Sequence, residues 1–243
     1  MSDAAPPPSP LAPPPLAPPP LAPPDPPPPE TARVRIWDWP TRIFHWLLVL
    51  LIPAMWWTAE NDRTELHVTL GLVMLALLLF RLIWGFIGSS TARFANFLKG
   101  PRGIMSYLNG HAAQAVGHNP LGGWSVFGML ALLCLQIGLG LFAGDEDGLV
   151  MGPLSLWLDG DTVEWVTDAH EFVFNLLLAL IALHVATILY YAVVQRKNLV
   201  GPMLTGSGRA PDGTAPMRPA PAWRVLVGLI VAGAVALWLW TQL

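Results

Sequence analysis

Apolar residues gather into five long blocks, at roughly 42–58, 67–87, 123–143, 169–192 and 223–242, separated by shorter polar stretches. Each block is close to the about 20 residues that a helix needs to cross a hydrocarbon core of ~30 Å. Backbone amides and carbonyls cannot go unpaired in lipid, so blocks of this length predict helices. Pro53 interrupts the first block, which a membrane helix tolerates. The pattern predicts an all-α membrane protein: a four-helix transmembrane bundle, followed by a fifth, C-terminal transmembrane helix.

The polar remainder divides the chain further. Residues 1–30 hold 16 of the 26 prolines, and LAPPP occurs at 11–15 and again at 16–20. Such a run cannot build a core and predicts a disordered, polyproline-rich tether over 1–32. It lacks the basic start and apolar stretch of a secretory signal peptide. The four-helix domain is expected over 33–200, a Gly- and Pro-rich linker over 201–222, and the additional helix over 223–243.

Hydrophobic residues make up 53% of the chain and charged residues 12%, too little charge to cover a soluble domain of this size. The charge that exists is lopsided. With the N-terminus in the cytoplasm, 12 of the 13 Lys and Arg residues fall on inner segments or inner helix ends, and only Arg63 lies outside. The positive-inside rule therefore predicts a cytoplasmic N-terminus and a periplasmic C-terminus in a bacterial inner membrane. Trp39, Trp46, Trp84, Trp124 and Trp223 are expected at the inner interface; Trp56, Trp57, Trp165 and Trp240 at the outer one. The outer loops carry most of the acids, among them Asp145, Glu146, Asp147, Asp159, Asp161, Glu164 and Asp168. A docking site for a basic partner such as a periplasmic cytochrome c is one reading of them. Ordinary charge asymmetry and solvation are the simpler account of them and the favoured one.

A single cysteine, Cys134, rules out an internal disulfide, a Cys-ligated cluster and covalent CxxCH haem attachment. Any bound metal must then use histidine. Four of the six histidines fall in the apolar helices: His45, His67, His170 and His184. His170 and His184 are 14 residues apart, about 21 Å of helix rise, and 14 steps of ~100° end within about 40° of whole turns. Both imidazoles thus share one face of the fourth helix near opposite membrane surfaces. Helix direction sets the other depths, so His45 pairs with His184 at the inner level and His67 with His170 at the outer level. Two facing imidazoles are what a haem iron accepts as axial ligands. One membrane histidine alone is as readily a hydrogen-bonded structural residue, and zinc would want its ligands at a single level.

Gly71, one turn beyond His67, leaves room beside a flat macrocycle, as Gly138 and Gly140 could in the third helix, although such glycines also serve helix packing. Arg42 and Arg81 at the inner level and Arg63 at the outer one are candidate partners for haem propionates, against snorkelling to lipid phosphates. Glu171 is either a hydrogen-bond acceptor for an imidazole or a plain interface carboxylate.

The segments VRIWDWPTRIFHW (34–46), HVTLG (67–71), GHNPLGG (117–123), HEFVFN (170–175) and LHVATILYY (183–191) resemble the prokaryotic di-haem cytochrome b-561 family, which includes the b-type cytochrome subunit of nickel–iron hydrogenases. The resemblance covers about 34–206. It implies a four-helix bundle with two non-covalent b-type haems, ligated at the positions of His45, His67, His170 and His184, and electron exchange with quinone near the inner haem. His118, in GHNPLGG, is then a candidate quinone-site residue or a hydrogen-bonded loop anchor, whereas His111 reads as a solvated loop residue. Three functions are consistent with these features. The first is transmembrane electron transfer between a periplasmic redox partner and the quinone pool. The second is a haem-bearing anchor subunit of a larger oxidoreductase such as a hydrogenase. The third is a histidine-based proton or metal transporter, disfavoured by histidines lying toward both surfaces and by the lack of a visible repeat. Membrane lipid is the expected surrounding, and no nucleic-acid partner is expected.

Overall fold

The computed structural model describes residues 31–111, 116–144 and 151–243. The proline-rich head up to residue 30 and the acidic trio Asp145, Glu146 and Asp147 lie outside the described residues. Five helices are long and apolar enough to cross a membrane: α1 Trp39–Glu60, α2 Thr64–Ile87, α5 Pro120–Gly140, α6 Gly160–Val193 and α8 Trp223–Trp240. Between them lie the short helices α3 Phe94–Phe97, α4 Pro101–Leu108 and α7 Val200–Thr205, a 3-10 turn at Ser155–Trp157, and two strands, β1 Thr31–Arg35 and β2 Ser207–Pro211.

Local chemistry sets the starts of three spans. Asp38, Asn119 and Asp159 each stand just before a helix, and their side chains accept from Thr41 N (2.8 Å), Gly122 N (2.6 Å) and Thr162 N (2.9 Å). Each satisfies one of the orphan amides of a first helical turn. Pro40 and Pro120 occupy first-turn positions, where a missing N–H costs nothing. The α1–α2 turn is tight, with Asp62 in the left-handed region at φ 52°.

The helix α6 starts at Gly160, nine residues before the expected boundary at 169. Asp161, Glu164 and Asp168 suggested a loop, yet all three are exposed on one side of a helix whose Val163 and Val166 are buried on the other. At 34 residues it is about 51 Å long, well beyond a ~30 Å core.

The segment 201–222, expected as a linker, is built into the structure. Strand β2 pairs antiparallel with β1, placing Arg33 opposite Arg209. Thr31 and Ala32, assigned from composition to the tether, belong to this ladder. Gly206, at φ 83°, ends α7 and offers its carbonyl to Ile36 N (2.8 Å) and Trp37 N (3.1 Å). Further along, Met217 N bonds Arg35 O (2.9 Å), and Ser90 and Arg218 exchange two bonds. Glycine and proline here serve tight backbone turns in a fixed path, which composition alone cannot distinguish from flexibility.

At the centre is α2, packed against α1, α5 and α8, while α5 also packs on α6. Among the described residues α6 has no comparable packing on α1 or α2, so it stands off from them across a gap. The fifth helix closes on α2 through small residues: a Cβ at Gly228 would meet Phe80 Cδ2 at 3.0 Å, and Ala232 is buried against the same surface. Phe80 stacks on Trp84 (5.8 Å, 13°). Trp84, expected at an interface, is buried, because its indole N–H is bound inside the protein.

Replacing Gly228 by Leu should force Phe80 aside and cost about 1–3 kcal/mol of overpacking strain. Thermal unfolding in detergent should show a lower midpoint for Gly228→Leu and little change for Gly233→Leu, whose Cβ would meet nothing within 4 Å. Equal midpoints for the two variants would count against close α8–α2 packing.

Candidate functional site

Both histidine levels project into the gap in front of α6. At one level, His67 of α2 and His170 of α6 lie with ring centroids 6.2 Å apart and planes at 82°. Nδ1 of His67 is 3.0 Å from Met55 O and 3.1 Å from Thr58 Oγ1. Nδ1 of His170 is 2.9 Å from Gln136 O. A backbone carbonyl can only accept, so these contacts assign the Nδ1–H tautomer to both rings and leave each Nε2 with a lone pair. This arrangement is typical of metal-ligating histidines. The Nε2 of His170 currently accepts from the Gln136 amide at 3.0 Å, and Gln136 Oε1 is buried without a partner.

A cavity of about 810 Å³ surrounds the pair, lined among others by His67, Gly71, Leu72, Gln136, Gly140 and His170. It falls within the roughly 300–1,000 Å³ common for ligand sites. Gly140 is required by close approach, since a Cβ there would lie 2.9 Å from His170 Cε1. Gly71 leaves space, its nearest neighbour being Met55 Cε at 3.7 Å, while Gly138 faces nothing within 4 Å. Arg63 is exposed at the N-cap of α2 and does not line this cavity. Glu171 does line it.

At the other level, His45 of α1 and His184 of α6 come close enough for their charges to interact, and His184 and Arg81 reach His118 likewise. His118 is wedged between Trp37 (4.6 Å) and Phe97 (5.0 Å). Burial, aided by Arg81 and His184, pushes its imidazole down to about 3, so it is neutral. Nδ1 of His45, Nδ1 of His118 and Nη1 of Arg81 are all buried with no hydrogen-bond partner. Buried polar atoms left without partners are costly unless a ligand completes them. Arg42 is engaged elsewhere: its guanidinium donates to the carbonyls of Met203 (Nε, 3.1 Å) and Leu204, holding the end of α7.

Arg81 is only 2% exposed, lies over the Phe94 ring (5.2 Å) and has Asp38 as its counter-charge. Asp38 is itself fixed by Thr41 N, Trp84 Nε1 (2.9 Å) and Ser89 Oγ. Sequence reading missed Asp38, Gln136 and Thr58. A lone amide in an apolar run is a signal that could have marked Gln136. Nothing local in the sequence marks Asp38, because its indole and hydroxyl partners lie some 50 residues away.

These residues fit a haem. Two metal–nitrogen bonds of about 2 Å end to end, plus two ring radii, place imidazole centroids about 6 Å apart, matching the His67–His170 spacing. No group of three or more His, Cys, Asp or Glu side chains able to hold a metal ion occurs among the described residues, which is the clustered set that structural zinc prefers. Apolar spans facing each other through paired imidazoles define a transmembrane haem-protein architecture. Within that class, residues 36–206 match the family model of prokaryotic cytochrome b561, and the chain belongs to that family. It is accordingly a multi-pass membrane protein that binds b-type haem and transfers electrons. The match ends at Gly206, whose carbonyl receives Ile36 at the match's start, and it leaves α8 outside. No curated protein and no solved structure gives a significant match to the chain.

Because Asp38 accepts from three buried donors, Asp38→Ala should cost at least about 1–3 kcal/mol, the usual penalty for orphaned buried donors. Asp38→Asn, which keeps one acceptor oxygen, should fall between the two. Thermal melts of the three proteins check this order, and an Ala variant as stable as its parent would refute the anchoring role.

Proposed function

We propose that this cytochrome carries two b-type haems, one between His67 and His170 and one between His45 and His184. Electrons would move through them across the bacterial inner membrane, between a periplasmic redox partner and the quinone pool. The observation carrying this reading is the 6.2 Å imidazole pair whose Nδ1 atoms are both tied to backbone carbonyls. The haem, when bound, supplies a reversible one-electron couple. The protein's own residues set its surroundings. Met55 O and Gln136 O aim the two Nε2 lone pairs and raise their basicity. Gln136 releases His170 Nε2 to the iron and becomes a polar neighbour within the same cavity. Arg81, with Asp38 as its counter-charge and an unpartnered Nη1, would neutralise a propionate at the inner level. Apolar side chains from α1, α2, α5 and α6 keep water out.

The basic residues cluster at the end of the bundle opposite Arg63, which supports a cytoplasmic N-terminus and puts the His45–His184 level inside. Quinone exchange at that level would use His118, a neutral imidazole with a free buried Nδ1 beside His184 and Arg81.

A second reading, an anchor subunit for a larger oxidoreductase, is favoured by the opposite end. There Leu156 (82% exposed), Trp157 and Trp165 stand out beyond the His67–His170 level. Co-purification of a catalytic subunit, lost on Leu156→Ser with Trp157→Ser, would favour it over an autonomous carrier.

A reduced-minus-oxidised spectrum of the purified protein should be of b type, with two haems per chain by quantitation. His184→Ala and His170→Ala should each retain one haem, with different residual spectra. Two haems in either variant, or one in the parent, would overturn the assignment.

A further inference from the structure

A cavity of about 1310 Å³ opens on the basic end of the bundle between α4, the end of α6 and the β1–β2 ladder. Five cations line it, Arg33, Lys99, Arg196, Lys197 and Arg209, and no Asp or Glu among the described residues does. The positive-inside rule explains why basic residues lie on this side, but not why they surround one cavity. Three further observations point to a ligand. Arg33 and Arg209 are direct cross-strand partners, both exposed, so two like charges face each other on the sheet, which is destabilising unless solvent screens them or an anion bridges them. Arg196 is held in the left-handed region at φ 52°, a strained state for a non-glycine residue that clusters at binding sites. His118 also lines the cavity, with its Nδ1 buried and unpartnered.

The frame around the cavity is fixed rather than incidental. Asn119 caps α5 with its oxygen and donates its amide to the hydroxyls of Tyr107 on α4 (3.0 Å) and Tyr191 on α6 (3.4 Å). Thr91 donates to Ile36 O at 2.8 Å, fastening the ladder side to the chain that follows α2.

We infer that this cavity binds a phosphate group, with Arg33 and Arg209 as its principal clamp and Lys99, Arg196 and Lys197 completing the charge balance. Arginine presents a donor fork suited to phosphate oxygens, and basic pockets between membrane helices bind anionic lipid headgroups. The site needs no haem; it shares His118 with the proposed quinone level, but the arginine clamp does not depend on that reading.

The test uses the full-length haem-loaded protein in phosphatidylcholine nanodiscs, with phosphatidylglycerol added in one arm and inorganic phosphate in another. Thermal midpoint and lipid adducts by native mass spectrometry are read for the parent and for Arg33→Gln with Arg209→Gln. Without added anion the double variant should melt higher than the parent, because a repulsion is gone. With ligand the order should reverse, and adducts should fall several-fold in the variant. Reversal with phosphatidylglycerol alone identifies a lipid headgroup as the source of the phosphate, and reversal with inorganic phosphate alone identifies the free anion. The haem spectrum reports folding. Should the arginine variant lose it, Lys99→Gln with Lys197→Gln is read in the same way, with a smaller shift expected. Midpoints and adducts that respond identically in parent and folded variant would overturn the site.

Discussion

An imidazole in hydrocarbon must satisfy both of its ring nitrogens, and the architecture follows from how this chain does so at the His67–His170 level. Each Nδ1 is bound by a carbonyl from a different helix, Met55 on α1 for His67 and Gln136 on α5 for His170. A ring on α2 is thus oriented by α1, and a ring on α6 by α5. The two tightly packed helix pairs each deliver one finished ligand to the gap between them. That gap persists because α6 rests on α5 and stands off from α1 and α2, while α2 is braced on its far flank by α8.

The two levels are built by different means. At the His67–His170 level, glycine and main-chain carbonyls dominate, and the polar side chains touching the rings are Gln136 and Thr58. At the His45–His184 level, Asp38 accepts from Trp84 and Ser89 and serves as counter-charge to the buried Arg81, whose Nη1 keeps a free donor. An arginine could not be kept nearly buried within a span without such a counter-charge. The contrast gives the two levels different electrostatic surroundings despite identical ligand types, the lever by which axially equivalent haems acquire unequal potentials.

The five spans and their order were legible from hydropathy, because lipid enforces helices of a fixed minimum length. Helix direction and the 14-residue spacing put His67 and His170 at one depth, and their rings lie 6.2 Å apart. Boundaries failed where charge lay on one face of a continuing helix, as at Asp161 and Glu164. The ladder and α7 escaped notice because their pairing joins residues some 170 positions apart, and Gly- and Pro-rich sequence carries no record of such a partner. Among the candidate cations, Arg81 and Arg42 look alike in the sequence. Only tertiary structure shows one aimed at the gap and the other turned to the α7 carbonyls.

The placement of α8 has a consequence for assembly in the bilayer. By seating Gly228 and Ala232 on Phe80 and Trp84, it screens the one flank of α2 that the other spans leave bare. A neighbouring polypeptide therefore cannot use that flank. A relative lacking the fifth span would offer α2 itself as a mating surface, so gain or loss of that single C-terminal segment would change which quaternary contacts are open to the same cytochrome core.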